Sequence, residues 1–134
     1  MLKEKIYTIG ILILMGITWN CQSSKAILSS NIETQPTRES LQKQRAKLLK
    51  LAKMDTVCHH SSDWKIIGIG SKACGGPTEY IAYHKDSDEK QLLHEIKIYN
   101  QAMAKFNQLN GIISDCMLKV PPQISCKNGK LVLL

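Results

Sequence analysis

Cysteine, histidine and glycine supply the residues in this chain whose types and spacing could do chemistry. Cys21 stands alone near the N-terminus, and Cys58, Cys74, Cys116 and Cys126 lie in the body of the chain. A nucleophilic Cys74 would need a depressed pKa and a histidine within reach, yet no spacing singles out one of His59, His60, His84 or His94 as that partner. His59, His60 and Asp63 have the donor types of a zinc or copper site, but adjacent histidines point to opposite faces on a strand and are commonly just solvated on a loop. Gly68-x-Gly70-x-x-Ala73 has the spacing of a dinucleotide loop. It continues into Cys74-Gly75-Gly76-Pro77 where a phosphate-binding helix should begin, and the chain is too short for a doubly wound sheet. Asp86, Asp88 and Glu89 lack the glycine and the distant glutamate of a calcium loop, so helix capping is their expected role. Glu79 and Asp115 could act as an acid and a base only if the fold brought them together. The expectation is a chain with no catalytic residues, no metal site and no cofactor, whose four body cysteines form two disulfides.

The first twenty residues have the layout of an export signal. Lys3 and Lys5 precede a run of about 14 apolar residues from Ile6 to Trp19, followed by polar Asn20 to Ser24. A helix needs about 20 apolar residues to cross the hydrocarbon core, so export, and not a permanent span, is the expectation. Cys21 occupies the position of a lipobox cysteine, the residue that receives a diacylglyceryl group and starts the mature chain, although Thr18 and Asn20 stand where an aliphatic and a small residue are usual. Cleavage after the small residues around Ser24-Lys25-Ala26 and a retained signal anchor stay open as alternatives. Lipidation at Cys21 gives the membrane as first partner and the cell envelope as location, with residues 1–20 as signal and 21–36 as a polar tether carrying a single domain over 37–134.

Composition narrows the partner classes further. The formal net charge is +7. Removing residues 1–20 takes away two lysines and one glutamate, leaving about +6 on about 114 residues, enough for one small domain. The lysines and arginines are scattered, and the chain has seven aromatic side chains, so the basic stripe with stacking residues of a nucleic-acid binder is missing. Attraction to anionic headgroups or envelope polysaccharide follows instead. A small exported domain supplements a limited core with disulfides. Four cysteines allow three pairings; pairing of neighbours, Cys58 with Cys74 and Cys116 with Cys126, is the expectation.

The elements that must position these residues can be read from periodicity and turn chemistry. Leu41, Leu48, Leu49 and Ala52 line one face of a helix from Thr37 to about Met54. Trp64–Ile69 reads as a strand and Tyr80–His84 as a second. Asp86 and Glu89 stand three apart as a capping box for a long helix with Leu92, Ile96, Tyr99, Met103 and Phe106 on one stripe, stopped at Asn110-Gly111. Cys116–Val120 reads as a third strand ended by Pro121-Pro122. Asn128-Gly129 predicts a hairpin between 124–127 and 130–134. The order predicts an α+β fold, a small mostly antiparallel sheet with two helices, stapled by two disulfides.

With these elements placed, Cys74-Gly75-Gly76-Pro77, Tyr80-Ile81-Ala82-Tyr83, Ser114-Asp115-Cys116, Pro121-Pro122 and Cys126-Lys127-Asn128-Gly129 form a series over roughly residues 55–130. The series resembles a family of small exported bacterial proteins built around C-G-G-P followed by Y-I/L-x-Y, a family with no assigned activity. The resemblance implies export and a stapled fold. It also implies a third bridge in many relatives, at the positions of Trp64 or Lys65 and of Leu131, replaced here by apolar packing.

The functional expectation is a lipid-anchored envelope protein of binding or structural type, without catalysis, whose partner is a protein or an envelope polymer. The candidate binding rim is Gly75, Gly76 and Pro77 with Tyr80 and Tyr83, where backbone exposed by glycine lies near two aromatic side chains. The alternative is a secreted or periplasmic inhibitor of a hydrolase, because small stapled domains present rigid loops to active sites.

Overall fold

The computed structural model describes residues 35–134, an α+β domain with two helices and two antiparallel hairpins. Cys21, the signal and most of the tether lie outside the described residues. Helix α1 (Arg38–Leu51) starts at a capping box: the Thr37 hydroxyl accepts from the Ser40 N–H and the Ser40 hydroxyl accepts from the Thr37 N–H. It ends where Lys53 turns left-handed, φ 53°. Helix α2 (Glu89–Leu109) begins at Asp88, whose carboxylate accepts from the Gln91 N–H at 2.9 Å. The expected Asp86–Glu89 box is therefore corrected. Asp86 sits beside His84, and Glu89 turns away to Tyr83 and Lys65.

Strands β1 (Trp64–Ile69) and β2 (Glu79–His84) pair antiparallel from Trp64 opposite His84 to Ile69 opposite Glu79. This hairpin is the middle layer of the domain. Alternation along a strand sends successive side chains to opposite faces. Ile67, Ile69, Ile81 and Tyr83 accordingly join Leu48, Ala52, Leu92, Ile96 and Tyr99 in a core against the helices. Trp64, Ile66 and Ala82 face the other way, onto Cys58, Ile124, Cys126, Leu131 and Leu133. Burial on both faces explains why β1 and β2 carry apolar residues at consecutive positions. Leu48, Ile69, Ile81 and Leu92 are the largest fully buried side chains. Each contributes about 1.5–3 kcal/mol relative to exposure.

The second hairpin, β3 (Ile124–Lys127) and β4 (Lys130–Leu133), turns through Asn128 and Gly129, both at positive φ as a type I′ turn requires. It forms a separate two-stranded sheet and does not extend the first. Of the positions at which the resemblance implies a third bridge, Trp64 or Lys65 and Leu131, Trp64 and Leu131 lie in the same apolar cluster.

Cys58 is bonded to Cys126 and Cys74 to Cys116, correcting the expected neighbour pairing. The reason is strand length. Cys58 precedes the start of β1 and Cys74 follows its end, and six residues of strand span roughly 20 Å, whereas bridged cysteines need Cα atoms closer than about 7 Å. Neighbours in sequence are thus at opposite ends of the hairpin, and each finds its partner in the C-terminal third of the chain. The Cys116–Val120 strand is also corrected. Residues 112–122 run without strand pairing, and Pro121 and Pro122 lack the N–H groups that a ladder needs; Gln123 already exchanges backbone hydrogen bonds with Leu134.

Candidate functional site

The β1–β2 connection, residues 70–78, is built to hold a shape. Gly70 lies at φ 82°, and its N–H donates to Asn100 Oδ1 at 2.7 Å; Asn107 Nδ2 donates to the Ser71 carbonyl at 2.7 Å. Helix α2 therefore positions the loop through two asparagine side chains. Gly75 and Gly76 are exposed at φ 93° and 82°, and a hydrogen bond from the Lys72 N–H to the Gly76 carbonyl closes the tip. Pro77 packs over Gly68, which has no room for a Cβ there. The glycines of the Gly68-x-Gly70 series thus serve a turn and a close contact, and β2 follows them, not a helix.

The loop holds segment 112–122, which has no strand partner, from one side. The exposed Cys74–Cys116 bridge is the covalent tie. Lys72, with 10% of its side chain exposed, donates from Nζ to Asp115 Oδ1 at 2.9 Å and to the Met117 carbonyl at 2.7 Å. Tyr80 donates from its hydroxyl to the Lys119 carbonyl at 3.1 Å, and the Cys74 N–H donates to the Ser114 hydroxyl. The hydrogen bond from Lys72, helped by the Met117 N–H, holds the Asp115 carboxyl below its ordinary value.

These contacts grip the backbone of the segment and leave its side chains in solvent. Ile113 is 91% exposed, Met117 70%, Leu118 84% and Val120 79%. A surface loop lying flat would bury alternate residues; here consecutive apolar residues all face water. Shallow grooves of about 510 and 500 Å³ flank the loop, one lined by Lys72, Gly75, Asn107, Ile112 and Ile113, the other by Gly68, Gly76, Pro77 and Tyr80.

Gly75, Gly76, Pro77 and Tyr80 therefore do lie together. Tyr83 does not belong with them. Three residues beyond Tyr80, it points to the opposite face, is buried against the helices, and donates from its hydroxyl to Glu89 Oε1 at 2.8 Å. Burial pushes its phenol up, and its hydrogen bond with the Lys65 ammonium nearby keeps Glu89 below the usual carboxylate range. The stripe Ile113, Met117, Leu118 and Val120 is the part of the site that sequence reading misses. Its available signal is a run of apolar residues ended by two prolines, which cannot be a central strand.

The other candidates have local partners. Glu79 makes a two-point ion pair with Arg45 at 2.6 and 2.8 Å, and Asp115 is held by Lys72, so the two carboxylates serve separate cations. Asp63 is bound by Lys85. His84 packs edge-on to Trp64, with ring centroids 5.0 Å apart, and accepts from the Asp86 N–H. His59 and His60 are exposed, and no three metal-ligating side chains converge among the described residues.

Two disulfides are the mark of an oxidising, extracytoplasmic environment. Among the described residues no helix is long and apolar enough to cross a membrane. Compared with protein-family models, curated proteins and solved structures, the chain matches none.

Proposed function

We propose that this chain is an exported, non-catalytic binding protein, lipid-anchored at Cys21, which engages its partner with the 70–78 loop and the segment 112–120. The observation that carries this reading is the apolar segment held by its backbone, with Ile113, Met117, Leu118 and Val120 in solvent. Leaving such residues exposed gains the isolated domain nothing, since burying one contributes about 1.5–3 kcal/mol. Contiguous exposed apolar groups on a small protein mark an interaction site. The anchor and tether read from the sequence would hold this site near a membrane, within reach of envelope partners.

The test uses the full chain expressed in a diderm bacterium. Intact mass and fractionation are expected to give a membrane-bound species starting at Cys21 and heavier by acyl chains. A soluble species starting after Cys21 would remove the anchor from the proposal. The double variant Met117→Ser, Val120→Ser is expected to keep the thermal midpoint of the wild type, because both side chains are in solvent. It is expected to lose at least about tenfold in capture of envelope components on beads, as removal of interface anchors does. Equal capture by wild type and variant would contradict the assignment of the surface.

A further inference from the structure

Resting on that binding reading, we infer that the segment 117–120 inhibits an endopeptidase that cuts after large apolar residues, with Leu118 in its specificity pocket. The first ground is backbone direction. Residue by residue along an unbent extended chain, the backbone N–H and C=O groups alternate sides. Cys116 turns left-handed at φ 53°; beyond it residues 117–120 run without a further turn or bend, and the carbonyls of Met117 and Lys119, two apart, are both turned inward to Lys72 and Tyr80. The N–H and C=O of Leu118 therefore face outward, unpaired. That is the edge an endopeptidase cleft pairs with when it binds an extended substrate. The Leu118 carbonyl is also the one left open to a nucleophile, since those of its neighbours are in use. Val120 is a poorer candidate because its following bond leads to Pro121, where the amide nitrogen is tertiary.

The second ground is what happens after a cut. Hydrolysis of the Leu118–Lys119 bond consumes one water and yields a carboxylate on Leu118 and an amine on Lys119. The new ends would not separate. On one side Cys116 is bonded to Cys74, and on the other Cys126 is bonded to Cys58 and lies in β3. A substrate loop is released once cut, whereas a loop stapled on both sides keeps filling the cleft. Pre-ordering by Lys72, Tyr80 and the disulfide also removes the entropy cost that a flexible peptide bears on binding.

The test takes the full chain with both disulfides formed and titrates it against chymotrypsin and subtilisin, which cut after large apolar residues, with trypsin as contrast. Inhibition of the first two at roughly micromolar chain or below is expected, as protease–inhibitor pairs are among the tightest complexes of their size. Leu118→Lys is expected to weaken it by about 30-fold or more and to transfer inhibition to trypsin. Leu118 is 84% exposed, so the change leaves the fold alone. No inhibition of either apolar-specific enzyme at tenfold molar excess overturns the inference, as does cleavage and turnover at the rate of an ordinary substrate. Inhibition of trypsin by the unmodified chain would move the pocket residue to Lys119 and overturn the assignment of Leu118. If the Met117→Ser, Val120→Ser variant still loses envelope capture while no peptidase is inhibited, the binding surface stands and the peptidase falls. If neither effect is seen, both fall.

Discussion

Replacing Cys58 and Cys126 together by alanine is expected to lower the stability of the domain by about 4 kcal/mol and its thermal midpoint by roughly 15–30 °C. The two cysteines stand 68 positions apart in the sequence. Closing a loop of that size in the unfolded chain removes about 15 cal/mol/K of entropy, most of which returns when the bridge is lost. The bridge also lies at the seam between the two hairpins: Cys58 is buried with Trp64 and Ala82, and its N–H donates to the Gly129 carbonyl at 2.9 Å. Removing Cys74 and Cys116 frees a sequence separation of 42, for which the same arithmetic yields a similar figure. The measured loss there should be smaller. Residues 112–122 have no strand partners, so the freed native state recovers part of the same entropy. Thermal unfolding followed by circular dichroism orders the two variants. A fall of less than about 5 °C for the Cys58, Cys126 pair, or the reverse ranking, would contradict this assignment of roles.

Gly70→Ala is expected to cost about 3 kcal/mol and to weaken partner binding along with stability. At φ 82° a non-glycine residue loses roughly 1–2 kcal/mol to contact between Cβ and its own backbone. The added methyl would also collide with the Thr78 hydroxyl and crowd the Met103 sulfur, and overpacking adds roughly 1–3 kcal/mol. Thr78 cannot move aside freely, since its N–H and hydroxyl both donate to the Ile69 carbonyl. Displacing this corner shifts Lys72 and Cys74, and with them the hold on segment 112–120. Adding Thr78→Ala should restore the steric part and leave the conformational part. Denaturant unfolding of the single and double variants separates the two, and a single variant within about 0.5 kcal/mol of wild type would show the corner to be pliable.

The helices and the second hairpin were legible in the sequence because each carries its own local signal. The stripe from Leu92 to Phe106 has helical spacing over about four turns, and Asn128-Gly129 can take the positive φ values of a two-residue turn. What was not legible depends on contacts remote in sequence. Cys58 and Cys74 look like neighbours until β1 is laid between them as a rod. Asp86 and Asp88 both have cap chemistry, but it is Asp88 that takes the Gln91 N–H, while Asp86 lies beside His84. Tyr80 and Tyr83 sit close in sequence, yet strand alternation separates them. Met117, Leu118 and Val120 have the composition of a strand, and only Pro121-Pro122 signals locally that the run does not join a sheet.

Both ends of the presented segment are stapled to different parts of the domain, through Cys116 to Cys74 and through Cys126 to Cys58. Trypsin digestion of the exported, denatured but unreduced chain tests this directly, because Lys65, Lys72, Lys85, Lys105, Lys119 and Lys127 place the four body cysteines on four separate peptides. Mass spectrometry is predicted to find peptide 54–65 linked to 120–127 and peptide 73–85 linked to 106–119, with no free thiol. Linkage of 54–65 to 73–85 and of 106–119 to 120–127 would make residues 116–126 a self-closed loop detached from the glycine turn, and would contradict the account.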